Sequence, residues 1–197
     1  MTEITYPHDL SPLSRAEILA KMHQRLDDER FNHCLRVEAA ARELAARFDV
    51  DVDRAGLAGL LHDYAKQVPA KDYRDLIETQ GLDPDLLAYG RGIWHGLVGV
   101  WFIQRELGVA DPEVLQAIAR HTTGDPEMTP LDEIIFVADF IEPARDLPGE
   151  IAARTAAQTD LLEATLIELT NTLGYLIDNR KVVYPKTLAT YNALIKR

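Results

Sequence analysis

Six residues of this 197-residue sequence combine metal-binding chemistry with surroundings that exclude water. Asp139 stands inside "IIFVADFIE", where a carboxylate among so many apolar neighbours costs several kcal/mol unless it is paired or metal-bound. His62 and Asp63, in "AGLAGLLHDYA", pose the same problem on a segment whose small and apolar residues predict burial on nearly all sides. His33 lies about one turn before Val37 and two before Ala40 and Ala41, so it faces the core with them. His95 opens an expected helix directly after Trp94, and His121 closes one directly before Thr122. At helix ends a side chain can reach a cleft while the helix itself packs. A lone histidine on an apolar face is more often a hydrogen-bonded core residue than a ligand, but four of them with two embedded aspartates point to one shared site. Imidazole and carboxylate without thiolate suit iron, manganese or zinc, and the set is too rich for a single closed structural site. An open or binuclear site can acidify a bound water near neutral pH and polarise a phosphoryl oxygen, which serves phosphate ester or anhydride hydrolysis. His8 and His23 are given no role, and Cys34, about 100° round its helix from His33, reads as core packing.

The elements that must position these residues are helical throughout. Apolar residues recur at spacings of three and four, and no stretch alternates for long with a period of two, which predicts an all-α fold. Ser14 signals the start of a first helix near residues 16–26, followed by a second over about 30–48. The third helix, through "VDRAGLAGLLHDYAKQVP", takes Asp53 as its cap and ends before Pro69. Inside such a helix adjacent positions point about 100° apart, so His62 and Asp63 face one site only from its rim. Shorter helices are expected over 71–80, 84–88 and 95–106, and one from Pro112 to near His121. The turn-rich "HTTGDPEMTP" precedes an apolar helix stopped by Pro143. One long helix over about 151–179, a turn and a short terminal helix complete the chain. The sequence has no repeat or linker and is long enough for one sizeable core, so a single structural domain is expected, with residues 1–29 as an N-terminal helical extension and 30–197 carrying the site.

Composition narrows the function. The single cysteine allows no internal disulfide or cysteine-rich zinc cluster and fits a reducing, cytoplasmic compartment. No apolar run approaches the roughly 20 residues that span a bilayer, and "MTEITYPHDLSPLSR" has no basic end followed by an apolar stretch. A formal charge of −11 opposes general affinity for nucleic acid or anionic lipid, so an anionic substrate must be held by local cations.

The order His, His-Asp, His, His, Asp on successive helices resembles the HD superfamily of metal-dependent phosphohydrolases. Within it, "AGLLHDYAKQVP", "WHGLVGVWF", "HTTGDPEMTPLDEIIFVADFIEPAR" and "VVYPKTLATYN" resemble bacterial symmetrical diadenosine tetraphosphatases of the YqeK type, over about residues 30–192. The dipeptide alone is weak, as His8-Asp9 shows, but the blocks in order are specific. The resemblance implies an HD-domain helical bundle that cleaves a dinucleoside polyphosphate, diadenosine tetraphosphate, to two ADP. It implies that His33, His62, Asp63 and Asp139 bind iron, as one ion or two, with manganese or another divalent metal as alternatives. It places His95 and His121 at a second metal or at the phosphates, and makes His62, Asp63, His95 and His121 the catalytic group. Substrate contacts are implied for His33, Asp63, His95, His121 and Asp139 and for Arg30, Lys66, Thr122, Arg145 and the run Tyr184, Pro185, Lys186, Thr187, Leu188 and Ala189. Arginine and lysine beside a metal can bind phosphate oxygens, and Tyr184 can stack on a base. Expected partners are the small-molecule substrate and, at most, a second copy, the protein being a monomer or homodimer. The alternatives are another HD phosphohydrolase acting on a mononucleotide or guanosine alarmone, a non-catalytic nucleotide-binding regulator, and a di-iron oxygenase on the same scaffold.

Overall fold

In the computed structural model, which describes residues 4–197, the elements are α1 (Arg15–Arg25), α2 (Asp28–Arg47), α3 (Val52–Leu61), α4 (Ala70–Thr79), a 3-10 turn at Pro84–Ala88, α5 (Arg91–Leu97), α6 (Val100–Leu107), α7 (Pro112–Arg120), α8 (Pro130–Ile141), α9 (Glu150–Ala156), α10 (Leu161–Asp178) and α11 (Pro185–Leu194). Among the described residues there is no strand. Helix starts follow the chemistry of unpaired N–H groups. The Ser14 side chain and Glu17 form a reciprocal box at α1, Thr129 and Asp132 do the same at α8, and Pro112, Pro130 and Pro185 occupy first turns where a missing N–H costs nothing.

The centre is α2 and α3 packed together, with α8 against both and α7 closing the far side. Their apolar faces form one core running from Leu10 to Ala164, whose members on α3 and α8 are almost all fully buried. A smaller cluster of Met128, Phe136, Leu169, Leu173 and Leu194 fastens α10 and α11 to the outer side of α8.

Three expected elements differ. The α3 cap is Asp51, whose carboxylate accepts from Asp53 N and Arg54 N at 2.9 Å each, while Asp53 instead pairs with Arg42 at 3.0 Å. The helix expected over 95–106 is two, α5 and α6, divided at Val98 and Gly99. The Trp94 carbonyl accepts from both Val98 N at 2.8 Å and Gly99 N at 2.9 Å, so the ladder widens there instead of advancing. His95 therefore lies near the end of α5 rather than at its beginning. The long helix expected over 151–179 is also two, because Asp160 leaves helical geometry and caps α10 through Glu163 N at 2.9 Å. "DLLE" carries that signal as a capping box, with the acidic residue three places after the cap.

Candidate metal centre and its surroundings

The α3 helix stops at Leu61, and the chain continues through tight turns in which Tyr64, Lys66 and Val68 donate to the carbonyls of Leu61, Asp63 and Ala65 at 2.9–3.0 Å. The HD pair thus leaves the regular pitch, and both side chains enter the same site instead of straddling its rim. His33 reaches it from the middle of α2, His95 from the end of α5, His121 as the cap residue ending α7, and Asp139 from α8. Asp139 is not enclosed as its apolar neighbours suggest. It alone in 131–142 is only half-buried, on the one face of α8 that opens to the cleft. His33, His62, Asp63, His95 and His121 are buried.

The imidazoles are oriented by their far nitrogens. His62 Nδ1 lies 2.7 Å from Gly59 O, His95 Nδ1 2.8 Å from Arg91 O, and His121 Nδ1 2.6 Å from Ile118 O. A carbonyl only accepts, so each Nδ1 carries the proton and each Nε2 lone pair is left facing inward. Glu142 Oε1 takes the same role beneath His33 Nδ1 at 3.1 Å. The inward nitrogens then meet: His33 and His62 Nε2 are 3.2 Å apart, and His95 and His121 Nε2 3.0 Å. Facing lone pairs repel unless a cation lies among them. His33 Nε2 is 3.0 Å from Asp139 Oδ1, and Asp63 Oδ1 is buried without a hydrogen bond. Two overlapping sets, His33, His62 and Asp139, and His62, Asp63 and His121, hold donor atoms within 4.8 Å of one another. This donor set fits one or two divalent ions, with backbone carbonyls and Glu142 fixing the ligand rings from behind.

The electrostatics agree. Burial opposes ionisation of Asp63, but the imidazoles of His62 and His95 and the Lys66 ammonium beside it outweigh burial and hold the carboxyl well below its usual range. Burial also opposes charge on Asp139, yet His33, His62 and Arg145 hold it equally low. Both aspartates are therefore anionic ligands. Burial, reinforced by His95 and His62, drives His121 well below the usual imidazole value, which keeps it neutral.

Cations surround the centre. Arg30 Nη1 donates to Asp63 Oδ2 at 2.7 Å, Lys66 Nζ donates to His95 Nε2 at 2.9 Å, and Arg145 Nη2 donates to Asp139 Oδ1. Thr122 Oγ1 stands 3.3 Å from His95 Nε2 and 3.2 Å from His121 Nε2. The run 184–189 connects elsewhere. The Tyr184 ring meets Tyr89 edge-on at 4.9 Å, and Lys186 Nζ pairs with Asp125 Oδ2 at 3.0 Å. Thr187 is buried, whereas Pro185, Leu188 and Ala189 are exposed. Sequence reasoning missed Glu142, which accepts from Arg36 Nε at 2.6 Å and from Ala144 N at 2.7 Å. Burial works against its charge, but these donors bring its carboxyl down to about 2. Arg36, one helical turn after His33, was the available clue. It also missed Glu168 on α10, which is buried with Oε2 unpaired.

A helical bundle with this ligand order defines a class: the chain belongs to the HD domain family, which matches residues 30–144. Its similarity narrows further. It is 40% identical over 183 residues, 93% of this chain and 98% of the relative, to the symmetrical bis(5'-nucleosyl)-tetraphosphatase of Bacillus subtilis (strain 168). It is 38% identical to the protein so named in Staphylococcus aureus (strain NCTC 8325 / PS 47), over 91% of this chain and 93% of that one. Among solved structures, a predicted HD superfamily hydrolase involved in NAD metabolism from Clostridium acetobutylicum superposes with a TM-score of 0.89 at 34% identity, covering 94% of this chain and 98% of that chain. No helix among the described residues is long and apolar enough to cross a membrane.

Proposed function

We propose that the protein hydrolyses diadenosine tetraphosphate symmetrically to two ADP, using a centre held by His33, His62, Asp63, His121 and Asp139, with His95 at its phosphate side. The carrying observation is the likeness to symmetrical bis(5'-nucleosyl)-tetraphosphatases over nearly their whole length. The residues supply the chemistry that such a reaction needs. Imidazole and carboxylate without thiolate suit iron, manganese or zinc, the resemblance to the tetraphosphatases favours iron among them, and a bound ion would supply water activation and phosphoryl polarisation. The work is cytoplasmic, in keeping with a lone buried Cys34.

Arg30 and Lys66 are held by Asp63 and His95, and Arg145 by Asp139, so each cation is aimed before substrate arrives. Preorganised charge of this kind stabilises negative charge shifting along the anhydride as the leaving ADP departs. Thr122 offers a hydroxyl at the same rim. The 184–189 run, which is tied to the post-His121 loop by the Lys186–Asp125 pair and by the adjoining Thr190 on Thr123 O, takes the nucleoside of the ADP that water attacks.

The distance between nucleoside and metal centre then acts as a ruler. If it accommodates a nucleoside and two phosphates, water attacks the second phosphorus, and whatever lies beyond leaves. Diadenosine tetraphosphate gives only ADP, and the triphosphate analogue, if turned over, gives ADP and AMP. Chromatography of products formed in oxygen-labelled water should find the label on the terminal phosphate of ADP. Release of ATP and AMP from the tetraphosphate would overturn the symmetrical reading, and binding without any product would favour a regulator.

A further inference from the structure

A cleft of about 660 Å³ opens from Asp139 and Arg145 between the loop after α8 and one face of α10, lined by Glu168, Asn171, Tyr175 and Asp178. It includes none of residues 184–189. Its volume lies within the range of small-molecule sites, roughly 300–1,000 Å³. Resting on the symmetrical reaction proposed above, we infer that this cleft is the subsite for the second nucleoside, the one belonging to the leaving ADP.

A symmetrical dinucleotide cut at its middle bridge extends equally to both sides of the reacting phosphorus. The 184–189 run provides for one adenosine only, so the other needs a surface that begins at the phosphate-binding cations and runs away from that segment. The α10 cleft begins at Arg145, whose guanidinium is fixed on Asp139. Beyond Arg145 the lining itself carries the acidic Asp178 and no cation, Lys181 standing outside it on Tyr175, so it suits a ribose and base rich in hydroxyl and amino donors better than a further phosphate.

Glu168 is the independent sign of a ligand. Its side chain is 94% buried by the 6% residual exposure of the residue, and Oε2 has no hydrogen-bond partner. An unpaired buried oxygen of this kind costs about 1–3 kcal/mol, and a nucleoside donor or acceptor in the cleft would satisfy it. Burial, with the Asp139 charge behind it, pushes the carboxyl up from its ordinary range. Tyr175, 55% exposed at the mouth, carries Lys181 Nζ at 4.5 Å from its ring centroid, so a base would stack on the opposite face.

Gly174 provides a test that leaves the fold intact. It lines the cleft, and a Cβ there would meet nothing within 4 Å, so Gly174→Phe fills the space without a backbone clash. Steady-state kinetics are compared on diadenosine tetraphosphate and on adenosine 5'-tetraphosphate, which lacks the second nucleoside. The KM ratio of dinucleotide to mononucleotide should rise at least tenfold in Gly174→Phe and severalfold in Tyr175→Ala, with melting temperature and metal content as in the parent. Tyr184→Ala should weaken both substrates together. Equal changes on the two substrates in the α10 variants, or no change on either, would overturn the assignment. A parent enzyme that releases no ADP from diadenosine tetraphosphate would overturn the proposed reaction itself, and the second subsite with it.

Discussion

At the residue scale the site is decided by what each side chain does with its second polar atom. Nδ1 of His62, His95 and His121 is engaged by a backbone carbonyl, which turns each Nε2 lone pair into the site, where that of His95 meets Lys66 Nζ. The sequence displayed the ligands because imidazoles and carboxylates are conspicuous among apolar residues. Its resemblance to known hydrolases named the cations, but no pattern announced Glu142 or Glu168, whose importance depends on what lies across the fold. Lys186, which the resemblance places on the substrate, pairs with Asp125 across the fold, a contact that no local pattern displays. Burial works against the Asp125 charge, but Glu127 N, Lys186 and Arg120 outweigh it and lower its carboxyl. A group with a lowered folded-state value stabilises fully above its unfolded value of 3.8 and loses that contribution as pH falls below it. Asp125→Asn should therefore cost about 1.5–3 kcal/mol at pH 7, the worth of hydrogen bonds to a charged group, and less near pH 3. Urea unfolding at the two pH values measures this, and an equal loss at both would show that the charge is not what matters.

At the element scale the legible helix starts were those at Ser14, Pro84 and Pro112, because a cap or first-turn proline is local chemistry, whereas the starts of α3, α5 and α10 were misplaced or missed. Breaks inside apolar stretches were not legible, since periodicity continues through them: Ala157 to Asp160 and Val98 to Gly99 interrupt the helix without interrupting the pattern. The break at Gly99 matters for function because it lies one turn beyond His95. A Cβ on Gly99 would stand 1.8 Å from the His95 carbonyl oxygen and 3.0 Å from the Ala65 Cβ. Gly99→Ala must displace the end of α5 or the turn after the HD pair. The expected loss is about 1–3 kcal/mol of stability, as for overpacking in general, with reduced turnover as His95 moves. Gly92, on the same helix, has nothing within 4 Å of an added Cβ, so Gly92→Ala should be neutral or stabilising by up to about 1 kcal/mol. Thermal melts and activity of the pair decide the point. If Gly99→Ala behaves like Gly92→Ala, the close approach does not constrain the site.

At the scale of the whole molecule, the all-helical class was legible from periodicity, but which segments share a core was not, because that is settled by packing between distant elements. The first 29 residues carry no ligand and begin before the stretch that matches the HD family, so the sequence suggested an extension. We propose that the segment is a structural part of the single domain expected from the sequence, a reading that the contacts of residues 6–26 support. Leu10, Ile18, Met22 and Leu26 are all 5% exposed or less within the main core. At roughly 1.5–3 kcal/mol for each buried side chain, they supply about 6–12 kcal/mol before the entropy of ordering the segment, comparable to the 5–15 kcal/mol that stabilises a typical domain. The same segment satisfies Glu38, which is buried on α2 and accepts from Tyr6 Oη and from Arg15 Nε at 2.8 Å. Removing those donors leaves an uncompensated buried charge, a loss of about 3–5 kcal/mol. Deleting residues 1–26 should therefore abolish cooperative thermal unfolding and activity together. Glu38→Gln in the truncated chain should recover part of the fold, since it removes the orphaned charge but not the missing apolar contacts. A truncated chain that keeps a sharp transition near the parent melting temperature would show that α1 is an appendage and that α2 to α11 fold without it.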